Sequence, residues 1–224
     1  NITNINETPI ISVKNLNVEF QLRNNYFFSK STRTINAVRD VSLEIFKGET
    51  FGLVGESGSG KTTIGKSIVN LVEPKSGTIV LNGKKHKKTS QNIKIIRKNV
   101  GMVFQDPYGS LNPRMRIREI ILEPIRVHYP DSDNENNLVV SLLQKVGLHN
   151  SMMYRYPHEF SGGQRQRIGI ARALAVSPSL VICDEPVSAL DVSIQAQIIN
   201  LLETLQKDLK LTYLFIGHDL SVIR

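Results

Sequence analysis

The residues GESGSGKT, Gly55 to Thr62, have types and spacing that suit them to hold phosphate groups. They follow an apolar strand pattern and precede a helical pattern, which is the context that G-x-x-x-x-G-K-[ST] requires. The glycines let successive backbone N–H groups point at phosphate oxygens, and the helix N-terminus adds its dipole. Lys61 supplies a point charge for the β- and γ-phosphates, and the Thr62 hydroxyl can ligate magnesium. The sequence therefore predicts a nucleotide phosphate site.

Polar side chains follow three other apolar runs, at the points where those strands are predicted to end: Gln105, the pair Asp184 and Glu185, and His218. Ligands of open α/β sheets bind beyond the carboxyl ends of the strands, so we expect these side chains to share one site. The adjacent carboxylates point different ways, so one can hold the magnesium shell while the other reaches an attacking water. Gln105 can ligate or orient water, and His218 can donate to a γ-phosphate or hold a base. Together these residues indicate phosphoryl transfer.

A second candidate anion site lies in FSGGQ, where Ser161, Gly162 and Gly163 precede a helical pattern. Free N–H groups at a helix start, together with a serine hydroxyl, can bind an anion. An ordinary helix cap by Ser161 with flexible glycines beside it explains the same residues. Both interpretations stay open on these residues alone, because one nucleotide does not need two such sites.

Apolar spacing predicts the elements that must position these residues. Residues 10–20 and 35–46 read as strands, the second with the alternation of a half-solvated antiparallel sheet. Runs that are apolar on both faces predict buried parallel strands at 50–54, 100–104, 180–184 and 211–217. Helical patterns cover 61–73, 164–176 and 193–209, and two more, 117–128 and 137–146, form an insertion within 106–160. The order of elements predicts an α/β fold.

Composition excludes several classes of protein. The 224 residues are 40% hydrophobic and 21% charged, which fits a folded domain and neither disorder nor a fibrous repeat. No stretch approaches the roughly 18 uncharged apolar residues of a bilayer span, and the start NITNINETPI does not have the pattern of a secretory signal. The single Cys183 excludes a disulfide framework and a multi-cysteine metal site, and favours a reducing interior.

The formal net charge of +8 lies mostly in residues 83–105, which hold seven Lys or Arg and no acid. Everything else is nearly neutral. A solvated loop and helix face explains this basic run, and so does a patch that faces the anionic headgroups of a membrane.

The motifs GESGSGKT, FSGGQ, LVICDEP and SALD, with Gln105 and His218, resemble those of the ATP-binding subunits of ABC transporters over nearly the whole chain. FQDPYGSLNPRM, residues 104–115, and HEFSGGQRQRIGIARAL are more narrowly similar to the oligopeptide, dipeptide and nickel importer branch. The resemblance implies an α/β P-loop NTPase core with a mainly parallel sheet, an antiparallel β subdomain and a helical (signature) subdomain. It implies one ABC ATPase domain over residues 1–224, with antiparallel β parts at about 10–50 and 77–82 and the helical part at about 106–176.

The same resemblance implies a role for each site residue. The Walker A residues would be Gly55, Glu56, Ser57, Gly58, Ser59, Gly60, Lys61, Thr62 and Thr63, the last near the α-phosphate. The Q-loop would be Gln105, the Walker B pair Asp184 and Glu185, and the switch histidine His218; Glu185, His218, Lys61 and Gln105 would be catalytic. Magnesium would be held by Thr62, Gln105 and Asp184. The signature would be Ser161, Gly162, Gly163 and Gln164, and the D-loop residue Asp191. Phe20 lies where the family has an adenine-stacking aromatic; Tyr26 is a weaker candidate, and a core role for Phe20 is the alternative.

ATP and Mg²⁺ are the implied cofactors. Such subunits work as head-to-tail dimers in which Walker A of one subunit and the signature of the other hold each ATP. The implied partners are a second, identical or homologous ATPase subunit, membrane permease subunits and, indirectly, a solute-binding protein, at the cytoplasmic face of the membrane. The implied function is ATP hydrolysis that powers transport of oligopeptides or dipeptides, or of nickel or other metal complexes. The helical insertion would transmit the nucleotide state from Gln105 to the permease, with residues 106–116 near that contact.

The alternative is a soluble ABC-type ATPase that acts on DNA or ribosomes, which the pI of about 9.6 would suit. Repair and chromosome relatives carry coiled-coil or zinc-bearing insertions between Walker A and the signature, and no heptads or cysteines occur there in this chain. We therefore expect no nucleic-acid partner. A module without turnover would lack Glu185 or His218, and both are present.

The sequence departs from the family pattern in a few places. Phe160 stands where Leu is usual, and Thr62 stands where Ser is commoner. The chain does not begin with Met and ends six residues past His218, so we interpret it as a fragment.

Overall fold

A computed structural model describes residues 8–23, 32–85 and 89–218. Its strands are β1 (Ile11–Arg23), β2 (Thr32–Ile45), β3 (Thr50–Val54), β4 (Ser76–Leu81), β5 (Lys84–Lys85), β6 (Val100–Val103), β7 (Leu180–Asp184) and β8 (Thr212–Gly217). Its helices are α1 (Lys61–Ile68), α2 (Ser90–Asn99), α3 (Ile117–His128), α4 (Glu135–Lys145), α5 (Gly162–Leu174) and α6 (Val192–Leu209). Two short 3₁₀ helices span Asn150–Tyr154 and Pro157–Glu159.

The strands form one antiparallel sheet in the order β2-β1-β4-β5 and one parallel sheet in the order β3-β8-β7-β6. The parallel sheet separates two apolar clusters, and β7 alternates between them. Leu180 and Ile182 pack with the antiparallel sheet and α1, whereas Val181 and Cys183 pack with the helical layer. Burial raises the pKa of the Cys183 thiol, so this cysteine is a core residue. The predicted fold class is confirmed.

The helical layer consists of α3, α4 and α5, which lie between β6 and β7 in the chain. Helix α3 begins and ends at the predicted residues, because its apolar positions face the core. Phe160 is only 4% exposed and packs in the same cluster, so it keeps the apolar role that Leu has in the resembling family. In the described ranges, no helix is both long and apolar enough to cross a membrane.

Several predicted boundaries shift by one to three residues, and the end of α1 differs by five. Strand β1 continues to Arg23, three residues beyond its predicted end, because it stays paired with β2. Helix α1 ends at Ile68, five residues before Glu73. Asn70 adopts a left-handed backbone with φ of 54°, and the Leu71 N–H donates to the Lys66 carbonyl at 2.8 Å, which closes the helix.

The basic run contributes β5, α2 and β6. Its exposed cations include Lys94, Arg97 and Lys98 on α2, as expected for a solvated helix face. The Lys98 ammonium lies 4.4 Å from the centre of the Tyr129 ring. Lys87 and Lys88 lie outside the described residues.

An ion-pair network joins α3 to the first turn of α4. Arg126 donates to both carboxylate oxygens of Glu135, at 2.6 and 2.8 Å, and to Glu119 at 2.6 Å. Arg118 donates to Glu119 at 2.5 Å and to Glu135 at 2.9 Å. The hydrogen bonds from Arg126 lower the pKa of Glu135 from its ordinary 4.5 to about 2.

We expect the network to stabilise the fold above the ordinary pKa of Glu135 and to lose that effect as the pH falls from 4.5 towards 2. A carboxylate whose pKa is lowered in the folded state binds fewer protons there than in the unfolded state. Urea unfolding between neutral pH and about pH 3 should therefore show a steeper loss of stability in the wild type than in Glu135→Gln.

Glu203→Gln is the matched control for this measurement. Glu203 is exposed on α6 and, within the described part of the chain, forms no ion pair. Its variant should keep the wild-type slope. Equal slopes for the wild type and Glu135→Gln would show that the network does not respond to pH.

Candidate functional site

The loop between β3 and α1 is shaped by its glycines. Gly58 and Gly60 have φ of 80° and 94°, values that L side chains rarely adopt. A Cβ on Gly60 would lie 2.2 Å from the Ala37 carbonyl oxygen of β2. Glycine at this position therefore lets the loop lie against the antiparallel sheet while Lys61 starts α1.

Lys61 directs its ammonium back into this loop. Its Nζ donates to the carbonyl oxygens of Gly55 and Glu56, at 2.6 and 2.7 Å, and lies 3.3 Å from the Ser59 hydroxyl. The residue is only 6% exposed. The positive charge is thus fixed at the centre of the loop, whose residues Glu56 to Ser59 are exposed, including Ser57. Thr63 follows in the first turn of α1 and is half-buried.

Three strand ends meet at Glu185. Because β7 lies between β8 and β6, the residues after those strands flank the residue after β7. Gln105 Nε2 donates to Glu185 Oε2 at 2.8 Å, and His218 Nε2 lies 2.8 Å from Glu185 Oε1. A carboxylate only accepts hydrogen bonds, so His218 Nε2 is the donor in this contact. Both oxygens of an 8%-exposed carboxylate are therefore held from opposite sides.

The backbone separates Glu185 from its neighbour Asp184. Glu185 has a left-handed φ of 46°, and its N–H donates to the Ile216 carbonyl of β8 at 2.9 Å. Asp184 instead turns to α1 and accepts a hydrogen bond of 2.7 Å from Thr62 Oγ1. Burial raises the pKa of Asp184, and the Thr62 hydrogen bond and the Lys66 charge act against that rise.

The carboxylate of Asp184 and the hydroxyl of Thr62 fit a magnesium ion. Thr62, Asp184 and Gln105 line one cavity of about 470 Å³, together with Lys66, Phe104, Asp106, Gly109, Ser110 and Arg172. A hydroxyl and one carboxylate, with water and phosphate oxygens, make a typical magnesium shell. Among the described residues there is no cluster of three or more His, Cys, Asp or Glu that could hold a metal. A cation at this position would also favour the ionised form of the buried Asp184.

The signature residues hydrogen-bond to one another at the start of α5. The Ser161 hydroxyl accepts from the Gln164 N–H at 3.3 Å, and Gln164 Oε1 accepts from the Ser161 N–H at 3.0 Å. This is a capping box, so the helix-cap interpretation of Ser161 is confirmed. Within the described ranges, no hydrogen bond joins these residues to Lys61, Glu185 or His218.

The glycines of the signature pack against the start of α6. A Cβ on Gly163 would lie 2.5 Å from Ile194 Cγ2, and one on Gly162 would lie 3.3 Å from Leu190 Cδ2. Asp191 begins α6 as its cap residue, is exposed, and makes no side-chain hydrogen bond to the helix. The signature and Asp191 therefore form one surface of the chain.

Phe20 lies within β1 and faces Ile35 of β2 across the antiparallel pair. The two side chains are 41% and 43% exposed, so the alternative of a core role for Phe20 is wrong. Its adenine-stacking role stays a prediction. Tyr26 and Asp219 lie outside the described residues.

Three residues near the site were not predicted from the sequence. Lys66 lies four residues after Thr62, on the same face of α1, and this spacing could have indicated it. Arg172 donates to the Ser110 carbonyl at 2.5 Å, and Arg165 stacks on Tyr108. No sequence pattern signals these last two contacts, because each joins segments more than fifty residues apart.

Comparisons with known proteins agree with this arrangement. Residues 38–188 match the protein family described as ABC transporter. The oligopeptide transport ATP-binding protein AppF of Bacillus subtilis is 51% identical over 226 residues, covering 100% of this chain and 68% of the relative. OppF of Haemophilus influenzae, another oligopeptide transport ATP-binding protein, is 50% identical, covering 98% of this chain and 67% of the relative. The glutathione import ATP-binding protein GsiA of Escherichia coli is 49% identical, covering 99% of this chain and 36% of the relative.

Solved structures of two cassettes are also similar. A dimeric ATP-binding cassette in a post-hydrolysis state with ADP and Pi superposes with a TM-score of 0.82 and 28% identity, covering 95% of this chain and 89% of that chain. The cbiO1 protein of Clostridium perfringens, part of the ABC transporter complex cbiONQ, gives 0.78 and 28%, covering 97% and 81%. This chain spans about two thirds of the length of AppF and OppF. It belongs to the ABC transporter family, as an ATP-binding cassette.

Proposed function

We propose that this chain is the ATP-hydrolysing part of a subunit that powers import of oligopeptides or dipeptides. The observation that carries the proposal is the Glu185 carboxylate, held by Gln105 and His218 beside a phosphate loop. AppF and OppF are oligopeptide transport proteins and GsiA is a glutathione import protein, which supports a peptide cargo. A nickel or other metal complex is the second cargo that the sequence resemblance implies. These relatives are transport or import proteins, so the alternative of an ATPase acting on DNA or ribosomes is not favoured.

Hydrolysis would proceed by in-line attack of water on the γ-phosphorus. Lys61 and the loop N–H groups hold the β- and γ-phosphates, Thr63 lies near the α-phosphate, and Phe20 stacks on adenine. Glu185 orients the water and accepts its proton as the bond from the γ-phosphorus to the β,γ-bridging oxygen breaks, releasing ADP and phosphate. His218 keeps the carboxylate aligned. Thr62, Asp184 and Gln105 would hold a magnesium ion, which supplies charge neutralisation on the transferring group.

Two such cassettes would complete each site. Among the residues that the structure describes, the surface formed by Ser161 to Gln164 and Asp191 makes no hydrogen bond to the chain's own phosphate loop, which suits contact with a nucleotide on a second subunit. Backbone N–H groups at the start of α5 would then face the γ-phosphate of that nucleotide. We propose an identical or homologous cassette as this partner.

Membrane permease subunits are the second proposed partner, which places the protein at the cytoplasmic face of the membrane. A cavity of about 320 Å³ separates the C-terminal end of α1 from α3 and α5 and opens next to Phe104. Two apolar residues on its rim, Leu71 and Val127, are 50% and 54% exposed. An apolar cleft beside the Gln105 loop is suited to receive a permease segment.

Reconstitution of the full-length protein tests this function. The protein would be co-purified from native membranes with its permease and solute-binding protein, and then placed in vesicles with labelled peptides or nickel complexes. We expect ATP hydrolysis that increases with loaded binding protein, together with uptake of one ligand class. Hydrolysis stimulated by DNA or ribosomes, with no effect of the permease, would contradict the proposal.

A further inference from the structure

Two arginines of α5 contact the loop that follows Gln105. The guanidinium carbon of Arg165 lies 3.5 Å from the centre of the Tyr108 ring, and Arg172 Nη1 donates to the Ser110 carbonyl at 2.5 Å. These arginines are seven positions apart, so they lie on one face of the helix. Two contacts about 10 Å apart along the axis fix both the position and the direction of the loop.

The segment that they contact, Asp106 to Ser110, is a short turn closed by its own hydrogen bonds. Asp106 accepts from the Tyr108 N–H through its carboxylate at 2.8 Å and from the Ser110 N–H through its carbonyl at 3.1 Å. A Cβ on Gly109 would lie 2.7 Å from Asp106 Oδ2, so the turn is also closely packed. Gln105 directly precedes this turn and bonds to Glu185. We therefore expect a displacement of the turn to move Gln105 as well.

Arg165 is also tied to the start of the signature. Its Nε donates to the Pro157 carbonyl at 2.7 Å, three residues before Phe160, and its backbone N–H donates to the Ser161 carbonyl at 2.9 Å. One buried side chain, 4% exposed, thus contacts both the turn after Gln105 and the segment that leads into the signature.

The placement of Arg165 is costly for stability. A cation in the first turn of a helix opposes the helix dipole. Among the described residues, Arg165 has no carboxylate partner, and its buried Nη1 has no hydrogen bond. An apolar side chain of similar length would avoid both costs, but it would lose the hydrogen bond to Pro157 and the contact with Tyr108. Those two contacts are therefore what favours an arginine at this position.

We propose that Arg165 and Tyr108 are positioning residues that join the signature helix to the Gln105 loop, so that displacement of Ser161 moves Gln105 relative to Glu185. Contact of a second subunit with the signature is thereby communicated, within one chain, to the carboxylate that orients water. This inference rests on the proposed function and adds a path by which one half of the site regulates the other.

Variants of both residues test this link in the full-length protein with its membrane partners. We expect Tyr108→Ala to lower kcat for ATP hydrolysis by roughly tenfold, a loss between those of an exposed and of a desolvated cation–π contact, since Arg165 is buried and Tyr108 is exposed. KM for ATP should change less than about twofold. Tyr108→Phe keeps the ring and should retain wild-type kcat. Tyr108 is 66% exposed, so its truncation is not expected to unfold the chain.

Arg165→Met should show the same roughly tenfold loss, and the double variant with Tyr108→Ala should lose no more than either single variant. Arg167→Met is the matched control, because Arg167 lies on the same helix but donates to the Val146 carbonyl at 2.7 Å. It should retain wild-type kcat. Additive losses in the double variant, or an equal loss in Arg167→Met, would overturn the proposal.

Amide hydrogen exchange separates this proposal from the proposed function. We expect faster exchange of the Tyr108 and Ser110 amides in Arg165→Met and Tyr108→Ala than in the wild type and Arg167→Met. This readout does not require turnover. Loss of the link would appear in exchange even if the wild type hydrolysed no ATP, a result that would contradict only the proposed function. If the wild type hydrolysed ATP but amide exchange in Arg165→Met and Tyr108→Ala were unchanged, the link alone would be rejected.

Discussion

Glu185→Gln is expected to lower kcat for ATP hydrolysis by about 10²- to 10⁴-fold, the usual contribution of a positioned general base. Glutamine has nearly the shape of glutamate, so its side chain can still lie between Gln105 and His218. It cannot accept the proton of an attacking water. ATP binding should be retained, because Lys61 and the phosphate loop are unchanged.

The measurements are steady-state hydrolysis and equilibrium ATP binding in the full-length protein with its partners. Glu203→Gln, an exposed change of the same chemistry on α6, is the control and should retain normal turnover. We also expect Glu185→Gln to accumulate as a nucleotide-bound dimer, seen by size-exclusion chromatography with ATP. Normal turnover in Glu185→Gln would remove Glu185 from the mechanism, and loss of ATP binding would show a structural role instead.

The strands of the site could be predicted because burial on both faces requires apolar residues at consecutive positions. In β7, Leu180 and Ile182 meet one apolar cluster and Val181 and Cys183 the other, so all four positions before Asp184 are apolar. The run therefore reads as a buried parallel strand. Likewise the α3 pattern locates both ends of that helix, because its apolar positions recur at helical spacing.

Strand order could not be read in the same way. The sequence predicts that Gln105, Glu185 and His218 lie at one edge of a sheet. That Gln105 and His218 bond to opposite oxygens of the same carboxylate depends on β7 lying between β6 and β8, and no local pattern specifies that order. The contact of Arg165 with Tyr108 could not be predicted either, because it depends on how the helical layer packs.

Ser161 illustrates how one residue can satisfy two interpretations. Its hydroxyl caps α5, which explains the residue through local stability alone. The cap uses the N–H of Gln164, and this leaves the N–H groups of Gly162 and Gly163 at the helix start for an anion. A test of the anion-binding role must therefore separate the loss of the cap from the loss of contact with a second subunit.

Ser161→Arg makes that separation. We expect it to leave ATP binding by the monomer intact, to block ATP-dependent dimer formation and to lower turnover by about 10²-fold or more, as for removal of preorganised donors from a transition state. The added side chain projects from an exposed position onto the surface that a partner's nucleotide would contact. Loss of the cap also costs about 1 kcal/mol of stability.

Ser161→Ala is the matched variant, because it loses the same cap without adding bulk or charge. Both variants should show a similar fall in urea midpoint, whereas only Ser161→Arg should fail to dimerise with ATP. Dimerisation is best measured in the Glu185→Gln background, where the nucleotide-bound form accumulates. If Ser161→Arg abolished ATP binding by the monomer, the signature would act on its own chain's nucleotide. If Ser161→Ala failed equally to dimerise, the helix cap would account for the whole effect.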